Sequence, residues 1–142
     1  MNKKINIITE INFFNLDLKT FTEQDVLDYC QINNINPDNI IKLWLHDNKA
    51  TDISGIKLFK NLIRADLAYN ELTNISVLKD LKNLDYLDIS NNKITDISAL
   101  KDLKNLEYLN IENLELKSNQ IKYTKSLKKL YEFRCENGFK NT

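Results

Sequence analysis

The sequence predicts an α/β solenoid of short parallel strands. Three observations predict it: a pattern that restarts every 22 residues, an apolar-polar alternation that opens each copy, and an asparagine at a fixed place inside it. The restarts fall at Ile40, Leu62, Leu84 and Leu106. In the first three copies apolar residues occupy the first, fourth, sixth, eleventh, fourteenth, seventeenth and twentieth places, and Asn48, Asn70 and Asn92 sit ninth. Self-similarity at a fixed period of this length is the signature of stacked repeat units, each burying its apolar face against its neighbours.

Residues 1–39 do not follow the repeat and are expected to form an N-terminal, partly helical cap, with residues 40–142 as the solenoid, the two making one structural unit. A solenoid end exposes a slab of core, so something must cover it. Thr22 reads as a helix N-cap, with Asp25 three residues on, Glu23 and Asp25 in the positive first turn, and Phe21 placed to staple onto Val26. Val26, Leu27 and Cys30 form the expected apolar stripe. Residues 5–18 fit a helix through Ile7, Ile11 and Phe14, or a strand through Phe14, Leu16 and Leu18. Pro37, Asp38 and Asn39 make the turn into the first repeat.

Within each repeat the second to sixth places, such as Asp85 to Ile89, alternate as a half-buried strand must. The strands are expected to stack in parallel on a concave face. The remainder lays apolar residues inward at spacing three (Ile94, Ile97, Leu100, Leu103), which fits short 3₁₀ or irregular turns on the convex side. The asparagine supplies both a donor and an acceptor to a turn whose backbone is shut away from water, where an unpaired group costs about 1 to 3 kcal/mol. After Leu106 the period slips. Leu114 takes the asparagine's place, and the next strand motif leads with Leu130, a repeat of 24 residues. A competing register starts at Ile111 and moves the turn to Asn119; the insertion is preferred because it preserves both flanking strands. Beyond it only Asn137, Gly138 and Phe139 remain as cover, so a partly exposed final strand edge is expected.

A chain of 142 residues suits one core. Net charge is +0, but residues 1–39 carry three bases and six acids (−3), 40–113 ten and eleven (−1), and 114–142 seven and three (+4). That mild dipole falls short of the basic footprint of a dedicated nucleic-acid binder. Cys30 and Cys135 lie in opposite terminal segments and read as reduced apolar fillers. The start MNKKINIITEINFF offers no cleavage site and no apolar run long enough to span a membrane, so a cytoplasmic protein is expected.

The repeats resemble the 22-residue class of leucine-rich repeats found in bacterial internalins and in regulatory phosphatase subunits. The resemblance covers about residues 40–135, with Thr-Asp-Ile-Ser at 51–54 and 95–98 as its most specific wording. It implies a leucine-rich repeat solenoid that binds another protein on its strand face and is not an enzyme. The chain departs from internalins in lacking a secretion signal and a wall anchor and in having few repeats, which puts an adhesin role in doubt.

The strand phase sends three rows outward: Lys42, Arg64, Tyr86, Tyr108 and Glu132; Trp44, Asp66, Asp88, Asn110 and Arg134; and His46, Ala68, Ser90, Glu112 and Glu136. Aromatics and Arg are the residues enriched at interface hot spots, although Trp44 could equally lean on the cap and the tyrosines could be a structural ladder. Asp66 and Asp88 stand at the spacing of a retaining glycosidase pair, but an open strand face is expected to exclude no water and to raise neither pKa. Arg or Lys capture from a partner fits them better. His46 with Asp47 or Asp66 is a poor metal set against the simpler reading of a solvated histidine. No cofactor is implied. Five lysines between Lys117 and Lys129, with Tyr123 among them, are the one candidate nucleic-acid patch, against the commoner reading of a solvated convex face.

The function expected is therefore a non-enzymatic protein-binding module that acts by occupying the surface of a larger protein. Small phage-encoded inhibitors of bacterial defence nucleases, anti-CRISPR proteins among them, fit this profile. A scaffolding subunit of an enzyme, and nucleic-acid binding through the C-terminal lysines, are the alternatives. Five strands about 4.8 Å apart and about 17 Å long project roughly 400 Å², against about 800 Å² per partner in a standard interface, so a partner should also touch a flank, the cap or the insertion at 114–118. The protein is expected as a monomer, or weakly self-associating through its last strand.

Overall fold

The computed structural model describes residues 7–125 and 127, together with the backbone of two further strands, 132–134 and 139–140. Along the chain run β1 (Glu10–Asn12), helix α1 (Glu23–Asn33), β2 (Lys42–Trp44), β3 (Arg64–Asp66), β4 (Tyr86–Asp88), β5 (Tyr108–Asn110), β6 (Leu116–Lys117), β7 (Glu132–Arg134) and β8 (Phe139–Lys140). Convex 3₁₀ turns occupy Ser54–Leu58, Ser76–Asp80, Ser98–Asp102 and Ser118–Tyr123, and a fifth, Pro37–Asn39, leads into β2. One parallel sheet has the order β1-β2-β3-β4-β5-β7, and β6 pairs with β8 in a second sheet of two strands.

The repeat sets the register: Lys42 pairs with Arg64, Arg64 with Tyr86, and Tyr86 with Tyr108. Because every strand sits at the same place in its repeat, the apolar places converge inside. Leu43, Leu45, Leu62, Leu67, Leu84, Leu87, Ile89, Leu106 and Leu109 are fully buried. The Thr-Asp-Ile-Ser wording acquires a physical reason. The carboxylates of Asp52 and Asp96 and the amide oxygen of Asn74 accept from the backbone N–H of Ser54, Ser98 and Ser76 at 2.7, 2.8 and 2.8 Å. Each side chain thus closes the turn that opens its 3₁₀ segment.

The ninth-place asparagines form the expected ladder. Nδ2 of Asn70 donates to the carbonyls of Leu45, Leu67 and Ala68 at 3.0 to 3.2 Å, and its Oδ1 accepts from Ala50 N–H at 2.9 Å. Asn92 repeats this one coil on, toward Leu67, Ile89 and Ser90, with Leu72 N–H as its donor. Asn48 turns the same groups on the cap, donating to Phe13 and accepting from Leu16 and Leu18. The residue before the ladder place has positive φ in every coil: Asn15, Asp47, Tyr69, Asn91 and Asn113, at 53° to 60°. Asn and Asp tolerate this left-handed backbone, so Tyr69 is the outlier.

The open choice between helix and strand for residues 5–18 resolves as a strand, but one centred on Ile11 rather than on Phe14 to Leu18. Glu10, Ile11 and Asn12 pair with Lys42, Leu43 and Trp44. Phe14 and Leu16 are exposed instead. The cap is thus an extra coil whose convex side is α1 in place of a 3₁₀ turn. Thr22 and Asp25 form the expected capping box, with Asp25 N–H donating to Thr22 and Thr22 N–H to Asp25. The stripe differs from expectation at one residue. Val26 and Cys30 are buried with Phe21, but Leu27 is exposed, because it lies about 100° around the helix from Val26 and away from the docking line. That line is Ser54–Leu58. A Cβ on Gly55 would come within 2.3 Å of the Thr22 carbonyl oxygen and 2.6 Å of Val26 Cγ2, so only glycine lets the helix seat this closely.

At the other end β5 pairs directly with β7, Tyr108 opposite Glu132, as the 24-residue repeat requires. The insertion itself leaves the main sheet, with Leu114 and Leu116 buried and β6 paired to β8. Part of the competing register is therefore realised: Leu116 does lie in a strand, outside the main sheet. Phe139 contributes a strand, whereas Asn137, Gly138 and Cys135 lie outside the described residues. Position 114 holds no asparagine, and Gln120 reaches from this coil to the one before it, its Oε1 accepting from Ile97 N–H at 3.0 Å. β7 ends the main sheet's order.

Candidate functional site

Among the described residues the concave face carries the expected rows, each extended by one cap residue: Glu10 of β1 ahead of Lys42, Asn12 of β1 ahead of Trp44, and Phe14, just past β1, in line with His46; Glu136 lies outside the described residues. This contribution is missing from the sequence reading, although a signal exists. Ile11, Phe13 and Asn15 repeat the apolar, apolar, Asx spacing of Leu43, Leu45 and Asp47.

The first row begins with an ion pair, Lys42 Nζ to Glu10 at 3.8 Å, and Arg64 Nε lies 3.6 Å from Asp85. Its middle is a parallel stack of Tyr86 on Tyr108, ring centres 4.3 Å apart and planes inclined by 5°. Trp44 meets Tyr86 edge-on at 6.4 Å. The Trp44 indole N–H also donates to the Glu10 carboxylate, so this ring both faces the concavity and leans on the cap.

The second row is where the structure corrects the expectation. Asp88 and Asn110, sent outward by strand phase as partner contacts, are buried. On an inward-curving face neighbouring strands crowd their side chains. Asp88 accepts from Ser90 N–H (2.9 Å), Ser90 Oγ–H (2.6 Å) and Asn110 Nδ2 (3.0 Å). Asp66, in register beside it, is half-buried and, among the described residues, accepts only from Ala68 N–H, at 3.1 Å. His46 Nδ1 lies 3.3 Å from Asp66 Oδ2. This approach lacks the direction of a hydrogen bond, and we read it as an electrostatic contact.

The expectation that nothing on this face shifts a carboxylate is also corrected. Burial pushes the Asp66 pKa up, and the Asp88 charge adds to that against the Ala68 hydrogen bond and His46. Burial likewise raises the Tyr86 hydroxyl, helped by Tyr108 and by both carboxylates. His46 is half-buried, its ring stacked on Phe14 at 4.5 Å, rather than a freely solvated histidine. Among the described residues no three His, Cys, Asp or Glu are grouped to hold a metal ion. For Glu132 and Arg134 the structure places the backbone in line with Tyr108 and Asn110. Of the lysine run, Lys122 lies over the Tyr123 ring at 4.9 Å, and Lys128 and Lys129 fall outside the described residues.

Coils of strand, asparagine turn and 3₁₀ segment define a class, the leucine-rich repeat protein. A family model for leucine-rich repeats in two copies matches residues 60–102 and 82–129. Among solved structures, an internalin (InlF) from Listeria monocytogenes is similar at 28% identity and a TM-score of 0.65, over 67% of this chain and 28% of that one. InlJ and internalin C2 from the same organism share the fold. InlJ does so at 21% identity and a TM-score of 0.59, over 73% of this chain and 27% of that one. Internalin C2 does so at 24% and 0.51, over 88% and 70%. The comparison with curated proteins finds no match. The chain is thus an internalin-like leucine-rich repeat protein that spans about a quarter of the InlF and InlJ chains. Among the described residues no helix is long and apolar enough to cross a membrane.

Proposed function

We propose that this protein is a protein-binding module whose contact surface is the concave sheet face, and that it acts by occupying a surface of its partner. The observation that carries the reading is the aromatic group of Trp44, Tyr86 and Tyr108 on a face that no element of the chain covers among the described residues. Rigid aromatic rings in mid-face are the usual anchors of an interface. Lys42, Arg64, His46 and Asp66 surround them, with Glu132 and Arg134 continuing the rows. Asp88 and Asn110 support this surface from beneath.

With β1 added, six strands of three residues, about 10 Å each, at about 4.8 Å project roughly 290 Å², well short of about 800 Å². The partner therefore also engages a flank, and the cap rim, where Phe14 and Leu16 are exposed, joins the insertion at 114–118 as a candidate. Inhibition of a larger enzyme in the cytoplasm, such as a defence nuclease, is the narrower form of the reading. It predicts that the captured partner loses activity when the module is added.

The test is cross-linking capture from native cells with the wild type and with Trp44→Ala plus Tyr86→Ala. A partner held by the wild type and lost by the double variant is expected. Retention of the same partner would sink the concave-face reading.

A further inference from the structure

The concave face sorts its charges unevenly. Lys42 faces Glu10 and Arg64 faces Asp85, so both cations described in the first row already have carboxylates. In the second row, Asp66 and Asp88 lie directly opposite each other on neighbouring strands, about 4.8 Å apart. Two ionised carboxylates offer about eight acceptor sites. Here they accept four hydrogen bonds, from Ala68, twice from Ser90, and from Asn110, all from neutral groups. Among the described residues the only basic side chain against the pair is His46, at 3.3 Å from Asp66 without a directed hydrogen bond. Along the strands the next outward place on Tyr86's side of the pair holds the tyrosine stack, and Trp44 stands beside Asp66 in its own row.

We infer that this face takes the guanidinium of an arginine side chain on the partner polypeptide, seated against Asp66, with the buried Asp88 charge behind it, and flanked by Trp44, Tyr86 and Tyr108. The inference rests on the concave-face reading and names the partner's chemistry. Arginine fits where lysine does less well. Its planar fork matches the two oxygens of a single carboxylate, and its flat face packs on aromatic rings. A guanidinium also cancels the repulsion between two adjacent carboxylates. The same pair repels a phosphate backbone, which turns this face away from nucleic acid.

Trp44 is the chain's only tryptophan and borders the site, so its fluorescence reports on it. The probe is a short peptide with a single arginine, titrated against the same peptide carrying citrulline, a neutral isostere, and against a single-stranded RNA oligonucleotide. A saturable Trp44 response to the arginine peptide is expected, weakened about tenfold or more by citrulline and by Asp66→Asn, with no response to RNA. A melt of Asp66→Asn at or above the wild-type temperature shows that weakened binding is not a loss of fold. Equal response to arginine and citrulline, an unaffected Asp66→Asn, an RNA response at the same site, or no saturable response up to about 10 mM peptide each overturns the inference. If Trp44→Ala plus Tyr86→Ala loses the native partner while Asp66→Asn keeps it, the concave-face reading stands and the arginine falls.

Discussion

Two polar ladders run across the coils of this solenoid, and they are built in opposite ways. Asn48, Asn70 and Asn92 lie buried between coils with each amide both giving and receiving hydrogen bonds to backbone, three donations and one acceptance in the case of Asn70. Asp66 and Asp88 lie on the concave face, side by side, with like charges and, among the described residues, no strong cation. The first ladder gives every amide nitrogen and oxygen a partner. The second leaves acceptor capacity unused and places charge where burial disfavours it. Repeat position alone does not separate them, since both recur at 22 residues. Satisfaction does: the ladder with every group paired holds the fold, and the ladder with spare capacity is the one we propose for recognition.

Variants can break this contrast. Asn70→Ala should be the most damaging change on the polar side, since it strips partners from buried groups of two coils at once. We expect a loss of about 3 kcal/mol or more in chemical denaturation. A loss below about 1 kcal/mol would show that water can replace the amide. Leu87→Ala removes a fully buried side chain from the middle strand and should cost a comparable 2 to 5 kcal/mol, about what a large-to-small core change costs. It calibrates the ladder against the core. Tyr69→Asn is expected to move the other way, gaining about 1 kcal/mol, because Tyr69 holds a left-handed φ of 53° at the place where the neighbouring coils have Asp or Asn. A loss of stability there would mean that the exposed ring packs on something worth more than the strain.

The regular coils were legible in the sequence almost residue by residue, because repetition fixes phase. Once Leu84 and Leu87 point inward, Tyr86 and Asp88 must point outward, and the strand pairs follow. What the phase could not supply was curvature. Outward on a concave face is not the same as exposed, so Asp88 and Asn110 are buried and Asp66 is partly desolvated. The cap was read well where local chemistry decides, at Thr22 and Asp25. It was read poorly where a partner strand decides. β1 is three residues long and gains its identity from Lys42 to Trp44, more than thirty residues on. Leu27 failed for a related reason, since an apolar stripe on a short helix does not say which edge of it will meet Gly55.

Asp66→Asn should have the smallest effect and separates the ladders most sharply. The folded state raises the Asp66 pKa, so its proton is held more tightly in the fold than in the unfolded chain. Stability from this group is therefore present at low pH and is lost as pH rises through the raised Asp66 range. An asparagine, which keeps the shape and drops the charge, does not show that loss. The deciding measurement is a pair of thermal melts at neutral pH, Asn70→Ala beside Asp66→Asn. The account predicts that the first melts about 10 °C below the wild type while the second melts at or above it. A comparable fall in both would contradict it, because the carboxylate row would then be holding the fold as the asparagines do.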